Sequence, residues 1–154
     1  MSIVYFDTSA LLKQYVTEIG SGWVRALLSS PDPPVVFTSR LTVVEAASAF
    51  ARRLRQGSLS STDHTNLLSV FDYDINNKYY LLEVSPVTID TARGFANNHP
   101  LRAYDAVQLA TAWLLNRELL LAGKAPLTFI CADRRLVTIA QAVALLTENP
   151  NDHP

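Results

Sequence analysis

The residues Ile3-Val4-Tyr5-Phe6-Asp7-Thr8-Ser9 constrain the fold more than any other stretch of the chain. Four β-prone apolar residues stop at a carboxylate, two hydroxyls follow, and the helical pattern Ala10-Leu11-Leu12-Lys13-Gln14-Tyr15 begins. A short apolar run of this kind reads as a buried strand, and Thr8 and Ser9 are good helix N-cap residues. Asp7 is thereby expected at the C-terminal end of a strand, facing a helix N-terminus. In open α/β sheets that edge is where ligands bind. Alone, the acid reads equally as a helix cap and as a ligand-binding group.

The same punctuation recurs down the chain. Residues 35–38, 81–84, 127–131 and 145–147 form further short apolar runs, expected as strands two to five. Between them lie helical patterns at 9–16, 23–28, 41–56, 63–80, 87–98, 102–121 and 134–142. Pro31-Asp32-Pro33-Pro34, Gly57 and Asn97-Asn98-His99-Pro100 act as breakers. The helix over 102–121 is apolar nearly all round, which predicts a place in the middle of the fold. Short strands alternating with helices imply parallel strands joined by helical crossovers, an α/β fold in one domain. The forty residues between the second and third strands predict a helical hairpin arm. Residues 1–148 are expected to form the domain, and the polar tail 149–154 to be loose.

Composition narrows the function. At 154 residues, 49% hydrophobic and 18% charged, the chain is expected to be globular and to bury a real core. A net charge of −1 gives no global basic field, so any phosphate contact must come from local clusters. Ten of the 13 basic residues are arginines, which suit bidentate phosphate contacts. The single cysteine, Cys131, excludes a disulfide framework and a cysteine-based zinc site, and its apolar surroundings read as those of a buried structural thiol. His64, His99 and His153 lack acidic neighbours at a useful spacing and read as surface residues. No basic leader precedes an apolar core, and no apolar run approaches the ~20 residues a membrane helix needs. A cytoplasmic protein is expected.

Four acids remain to be placed. Asp133 repeats the geometry of Asp7 after the fourth strand, again as cap or as ligand. Glu45 shares a helical stripe with Thr42, Ser48 and Arg52, which also describes a solvated face. Asp105 opens the apolar helix, where it reads either as an acid that gains from the macrodipole or as one received by a cavity or cleft, the apolar surroundings leaving few other positions. Four carboxylates at ~4 Å would repel by roughly 4 kcal/mol per pair at an effective dielectric near 20. Such a group is tolerable if neutralised, and oxygen-only ligands favour Mg²⁺ or Mn²⁺ over zinc.

These motifs together, Asp7-Thr8-Ser9-Ala10-Leu11, Glu45 in the helix after the second strand, Tyr104-Asp105-Ala106-Val107-Gln108-Leu109-Ala110 and Ala132-Asp133-Arg134-Arg135-Leu136, resemble the PIN-domain ribonucleases. The likeness is closest to the VapC-type toxins of type II toxin–antitoxin systems, and it covers nearly the whole chain. It implies a three-layer α/β/α sandwich around about five parallel strands. It also implies a metal-dependent endoribonuclease using Mg²⁺ or Mn²⁺. Asp7, Glu45, Asp105 and Asp133 match the acidic quartet, and Thr8 or Ser9 matches the hydroxyl beside its first acid. Arg102, Arg134 and Arg135 flank these acids and would steer phosphate or simply be solvated. The implied partners are RNA, a cognate antitoxin and a second copy of the chain, with Leu12, Tyr15 and Trp23 either lining an antitoxin groove or belonging to the core.

Two rivals compete with this reading. A non-catalytic PIN-like module would bind RNA or protein without cutting, but degenerate members usually lose acids and all four are here. A phosphoacceptor of the receiver type would want an extra acidic pair beside the first strand and a lysine after a late one, and a phosphatase of the α/β class a second aspartate two residues after the first, where Ser9 stands; neither signal is present.

Overall fold

Side-chain alternation along β1 (Ile3–Phe6) divides the core in two. Val4 and Phe6 point into one cluster with Leu11, Val24, Phe50 and Phe71, while Tyr5 points into another with Leu109, Phe129, Leu136 and Ile139. Side chains of a strand alternate with period two, so a strand apolar on both faces must be covered on both. The computed structural model, which describes residues 1–153, supplies that cover.

Strands β2 (Val35–Ser39), β3 (Tyr80–Leu82), β4 (Thr128–Ile130) and β5 (Leu146–Glu148) complete the sheet. Its order is β3-β2-β1-β4-β5 and every neighbouring pair is parallel. Helices α1 (Thr8–Leu11), α2 (Ser21–Leu28), α3 (Leu41–Arg55) and α4 (Ser61–Asn77) cover the first cluster. Helices α5 (Pro86–Asn98), α6 (Ala103–Leu121) and α7 (Arg134–Ala142) cover the second. The expected three-layer α/β/α sandwich with five parallel strands is the one observed. The α3–α4 arm lies between β2 and β3 as predicted, closed by Gly57 at φ +74° and by Ser60, whose side chain caps α4. No helix among the described residues is long and apolar enough to cross a membrane.

Three expectations need correction. The first helix does not run unbroken over 9–16: α1 gives way to a 3₁₀ turn, Leu12–Gln14, in which Lys13 turns inward. The Lys13 ammonium donates to Glu18 Oε1 at 3.0 Å and to the Ile19 carbonyl at 2.7 Å, and the turn that presents it is too tight for a continuous α-helix. Leu12, Tyr15 and Trp23 are half-buried and pack on the first cluster, with Tyr15 edge-on to Phe50 and Phe71. Tyr15 nevertheless also lines a surface groove with Leu59, Leu67 and Val70.

The C-terminal residues through His153 are not loose. Pro150–Asp152 forms a 3₁₀ turn with Asn149 buried at its start. Asn151 donates to the Ala132 carbonyl at 3.2 Å, and Asp152 pairs with Arg134. His153 is no free surface histidine: its ring stacks on Trp23 and its Nε2 lies 2.9 Å from Glu148 Oε1. Polarity along the tail marked hydrogen bonds to the domain rather than solvation.

Gly20 makes this docking possible. At φ +83° it starts α2 in the left-handed region, and a Cβ there would lie 2.4 Å from the Pro150 carbonyl oxygen. Gly20→Ala is expected to cost about 2 kcal/mol or more, combining backbone strain with a clash against backbone. Gly57→Ala, where a Cβ meets nothing within 4 Å, should cost only about 1 kcal/mol. Denaturant unfolding of the two variants side by side checks the difference, and equal losses would show that the tail contact contributes nothing.

Candidate active site

Parallel pairing of β1 with β4 sets Asp7 and Asp133 beyond neighbouring strand ends. The Asp7 N–H donates to the Ile130 carbonyl at 2.9 Å, extending the ladder by one step. Asp7 is itself the N-cap of α1: its Oδ2 accepts from the Ser9 N–H at 3.0 Å and from the Ser9 hydroxyl. That hydroxyl accepts in turn from the Ala132 N–H at 3.1 Å, so Ser9 ties the two strand ends together. Asp133 caps α7, its Oδ1 accepting from the backbone N–H groups of Arg135 and Leu136. Capping and site lining therefore coincide in both residues, each committing one oxygen to its helix.

Glu45 arrives on the second turn of α3 and Asp105 in the first turn of α6. All four acids, with Thr8 and Ser9, line one pocket of about 440 Å³. Arg102 lies between Asp105 and Asp133, its Nε 3.1 Å from the first and its Nη2 3.7 Å from the second. As the side chains stand, no three His, Cys, Asp or Glu among the described residues are grouped closely enough to hold a metal ion. Like charges without a cation do not close up. Arg134, paired with Asp152, borders an adjoining groove with Arg52 and Arg53, and Arg135 borders a second depression beside Arg102.

Asp7 is the most perturbed acid. Only 4% exposed, its carboxyl is pushed up to about 6, first by burial, against the pull of the Ser9 hydrogen bonds, and further by the charges of Glu45 and Asp105. Beneath it the buried Cys131 thiol lies 3.7 Å from Asp7 Oδ2 and donates toward it. Burial pushes that thiol well above its ordinary range, which keeps it neutral and inert. The structural reading of Cys131 holds, with this contact added.

Sequence reasoning missed three side chains under the pocket: Tyr5, Thr42 and Gln108, all fully buried and hydrogen-bonded to one another or to Glu45. A signal existed for Gln108. It is an amide one turn after Asp105 in the mostly apolar first half of α6, where an unpaired polar group would be costly.

Residues 4–141 match the PIN domain family. The chain belongs to that family. This PIN domain is 32% identical over 142 residues to a protein named Ribonuclease VapC45 from Mycobacterium tuberculosis, covering 92% of each, which places it on the VapC-type branch. Among solved structures it is similar to FitAcB from Neisseria gonorrhoeae, with a TM-score of 0.68, 19% identity and coverage of 96% of this chain and 98% of the other. It is also similar to a toxin–antitoxin complex from Klebsiella pneumoniae, with a TM-score of 0.61, 16% identity and coverage of 96% and 97%.

The raised Asp7 carboxyl makes this PIN domain's stability depend on pH. A group whose folded pKa lies above its unfolded value of 3.8 stabilises the fold when protonated. That contribution is fully present below pH ~4 and is lost as pH rises through about 6. A shift of about two units corresponds to roughly 3 kcal/mol. Asp7→Asn keeps a good N-cap and removes the charge. In chelator it should raise stability by up to that amount at pH 7.5 and by almost nothing at pH 4. Urea unfolding at both pH values checks this, and a gain independent of pH would refute the assignment.

Proposed function

We propose that this chain is a divalent-metal-dependent endoribonuclease, the toxin of a toxin–antitoxin pair. The observation that carries the proposal is the convergence of Asp7, Glu45, Asp105 and Asp133, from four separate segments, on one pocket. The name of the curated relative supports RNA as substrate.

The donor set suits Mg²⁺ or Mn²⁺. It consists of carboxylate and hydroxyl oxygens alone, and the buried Asp7, once ionised, carries a charge that a cation would relieve. Asp7, Asp105 and Asp133 would hold the ion, with Glu45 either as a further ligand or orienting a water. A divalent ion held there would acidify a water and neutralise charge building on the scissile phosphate. The protein's own groups do the rest. Ser9 fixes one Asp7 oxygen, and the backbone of α7 fixes one Asp133 oxygen, leaving the second oxygen of each for the pocket. Arg102, 82% exposed, is free to leave its two acids and meet a phosphate.

Substrate binding falls to the surrounding arginines. Arg52 lies two turns after Glu45 on the same face of α3, makes no ion pair among the described residues, and borders both the acid pocket and the groove beside it. With Arg102 and Arg135 on the far side, and Arg134 next to Arg52, cationic groups flank the acids in both directions. An RNA strand crossing the pocket would have phosphates within reach of each group. The cognate antitoxin and a homodimer follow from the VapC likeness, and the toxin–antitoxin complex among its structural relatives supports the first. Cytoplasmic action accords with a substrate found there.

Purified protein should cleave RNA with Mg²⁺ or Mn²⁺. Chelator or Asp7→Asn should abolish cleavage, and the metal concentration needed for half-maximal activity should rise as pH drops below about 6, where Asp7 of the metal-free protein takes up its proton. Cleavage surviving both chelator and Asp7→Asn would overturn the nuclease proposal. Expression without an antitoxin should arrest growth, and unimpeded growth with Asp7 intact would overturn the toxin role. Arg52→Ala should weaken RNA binding and flatten the plot of log K against log salt by about 0.7, the loss of one single-strand phosphate contact. An unchanged slope would remove Arg52 from the RNA path.

A further inference from the structure

Beneath the pocket lies a buried hydrogen-bond network whose donor directions are fixed from its two ends, the Phe6 carbonyl and the Tyr5 hydroxyl. Thr38 Oγ1 lies 2.8 Å from the Phe6 carbonyl, which can only accept, so Thr38 donates there. Thr42 therefore donates its single hydroxyl proton to Thr38, 2.7 Å away, and is left an acceptor toward its other neighbours. Those neighbours are Thr8, whose hydroxyl is 3.1 Å from Thr42 and 3.0 Å from Glu45 Oε1, and the Gln108 amide nitrogen. Gln108 Nε2 lies 2.7 Å from Glu45 Oε1 and 3.0 Å from both threonine hydroxyls. Its Oε1 accepts from the Tyr5 hydroxyl at 2.6 Å.

The Gln108 amide could be turned over only by pointing its carbonyl at the Glu45 carboxylate, two acceptors facing each other. Tyr5 blocks that rotation a second time, because its hydroxyl donates to the carbonyl end. Gln108 and Tyr5 are both 0% exposed, and Tyr5 stacks on Phe129 in the core, so neither side chain has room for another rotamer. The Gln108 amide and the Thr8 hydroxyl converge on Glu45 Oε1. Glu45 Oε2 has no hydrogen-bond partner among the described residues and belongs to a side chain that lines the pocket.

We propose that Gln108, locked by Tyr5, is a positioning residue that holds Glu45 in the one orientation that presents its second oxygen to the pocket. The proposal rests on the reading of that pocket as a metal-dependent nuclease site. Neither residue touches the pocket: Tyr5 acts from the opposite cluster of the core, through α6. Glu45 sits on α3 with an exposed neighbour on either side of its helix turn, Val44 and Ser48, and nothing else on its own helix restrains its side chain. Thr8 donates to the same Glu45 oxygen, but Gln108 supplies the shorter contact and the only one anchored from a second side.

The test compares Gln108→Met, which keeps the volume and loses the hydrogen bonds to Glu45, Tyr5 and the two threonines, with Tyr5→Phe, which deletes one oxygen. Supporting side chains of this kind typically cost 10–100-fold in metal affinity or activity. Gln108→Met should lower kcat about tenfold or more with KM for RNA within about twofold, and should weaken Tb³⁺ binding, read by luminescence, by a similar factor. Tyr5→Phe should move the same quantities in the same direction by less. The deciding arm is a double-mutant cycle on Tb³⁺ affinity. In a Glu45→Ala background, Gln108→Met should have no further effect, because its only route to the ion has gone.

A loss of the same size with and without Glu45 would show that Gln108 merely supports the fold, and would overturn the proposal. Wild-type kcat in Gln108→Met would overturn it too while leaving the nuclease reading intact. If the wild-type protein cleaves no RNA, the nuclease reading fails instead, and the Tb³⁺ cycle still decides whether Gln108 works through Glu45. Should Gln108→Met not fold, Tyr5→Phe with and without Glu45→Ala carries the same cycle.

Discussion

The parallel pairing of β1 with β4 is the constraint on which the site depends. The two strands leave the sheet side by side in the same direction, and each turns directly into a helix capped by an aspartate. A cap carboxylate must sit at the first turn of its helix, so neighbouring parallel strands bring the caps together with no freedom to separate them. Ser9 then locks the arrangement, bonding to Asp7 on one side and to the Ala132 N–H on the other. With β2 on the other flank of β1, the chain order reverses direction at this point, which opens the crevice that Glu45 and Asp105 enter from α3 and α6.

Acids gathered this way are held at a cost, and the compensation is uneven. Asp133 has the α7 N-terminus and Arg102, and Asp105 has the α6 N-terminus and the same arginine. Asp7, the most buried, has only Ser9, the thiol of Cys131 and a four-residue helix. The charge left uncompensated is therefore the one at the centre of the sheet, and its raised pKa reports that imbalance. Sites that bind cations are commonly destabilising when empty, since the arrangement that suits the ion is wrong for the acids alone. The tail adds to the same rim from outside. Asn151 reaches the Ala132 carbonyl and Asp152 reaches Arg134, so the segment beyond β5 braces the loop that carries Asp133.

The layer order and the four acids could be read from the chain because each rests on local rules. The unbroken apolar run Ile3–Phe6, the breakers at Pro31 to Pro34, and an acid after a strand all act within a few residues of one another. Even the ambiguity over Asp7 and Asp133 was real in the sequence, for both acids cap their helices and also line the pocket. What local rules could not supply was whether polar residues would meet. The tail looked solvated because nothing near it in sequence showed that Gly20 leaves room for Pro150. His153 looked solitary because Trp23, its stacking partner, is 130 residues away in the chain. Gln108 was passed over in an apolar helix because its partners, Tyr5, Thr8, Thr42 and Glu45, come from three other elements.

That network also explains why an amide stands where the helix pattern invites a leucine. A leucine at 108 would fill the space but strand the Tyr5 hydroxyl and leave Glu45 Oε1 short of a donor. A buried polar group without a partner costs about 1–3 kcal/mol, so the loss would not stop at one hydrogen bond. Conversely, a buried network with every member satisfied specifies a single arrangement where an apolar core would tolerate several. α6 thus carries two neighbouring polar residues with different tasks. Asp105 enters the pocket, while Gln108, one turn further along, faces the interior and joins the two core clusters through Tyr5 and Glu45. The acid on α3 is consequently referenced to the sheet's central strand rather than to its own helix, as are Asp7 and, through Ser9, the loop of Asp133.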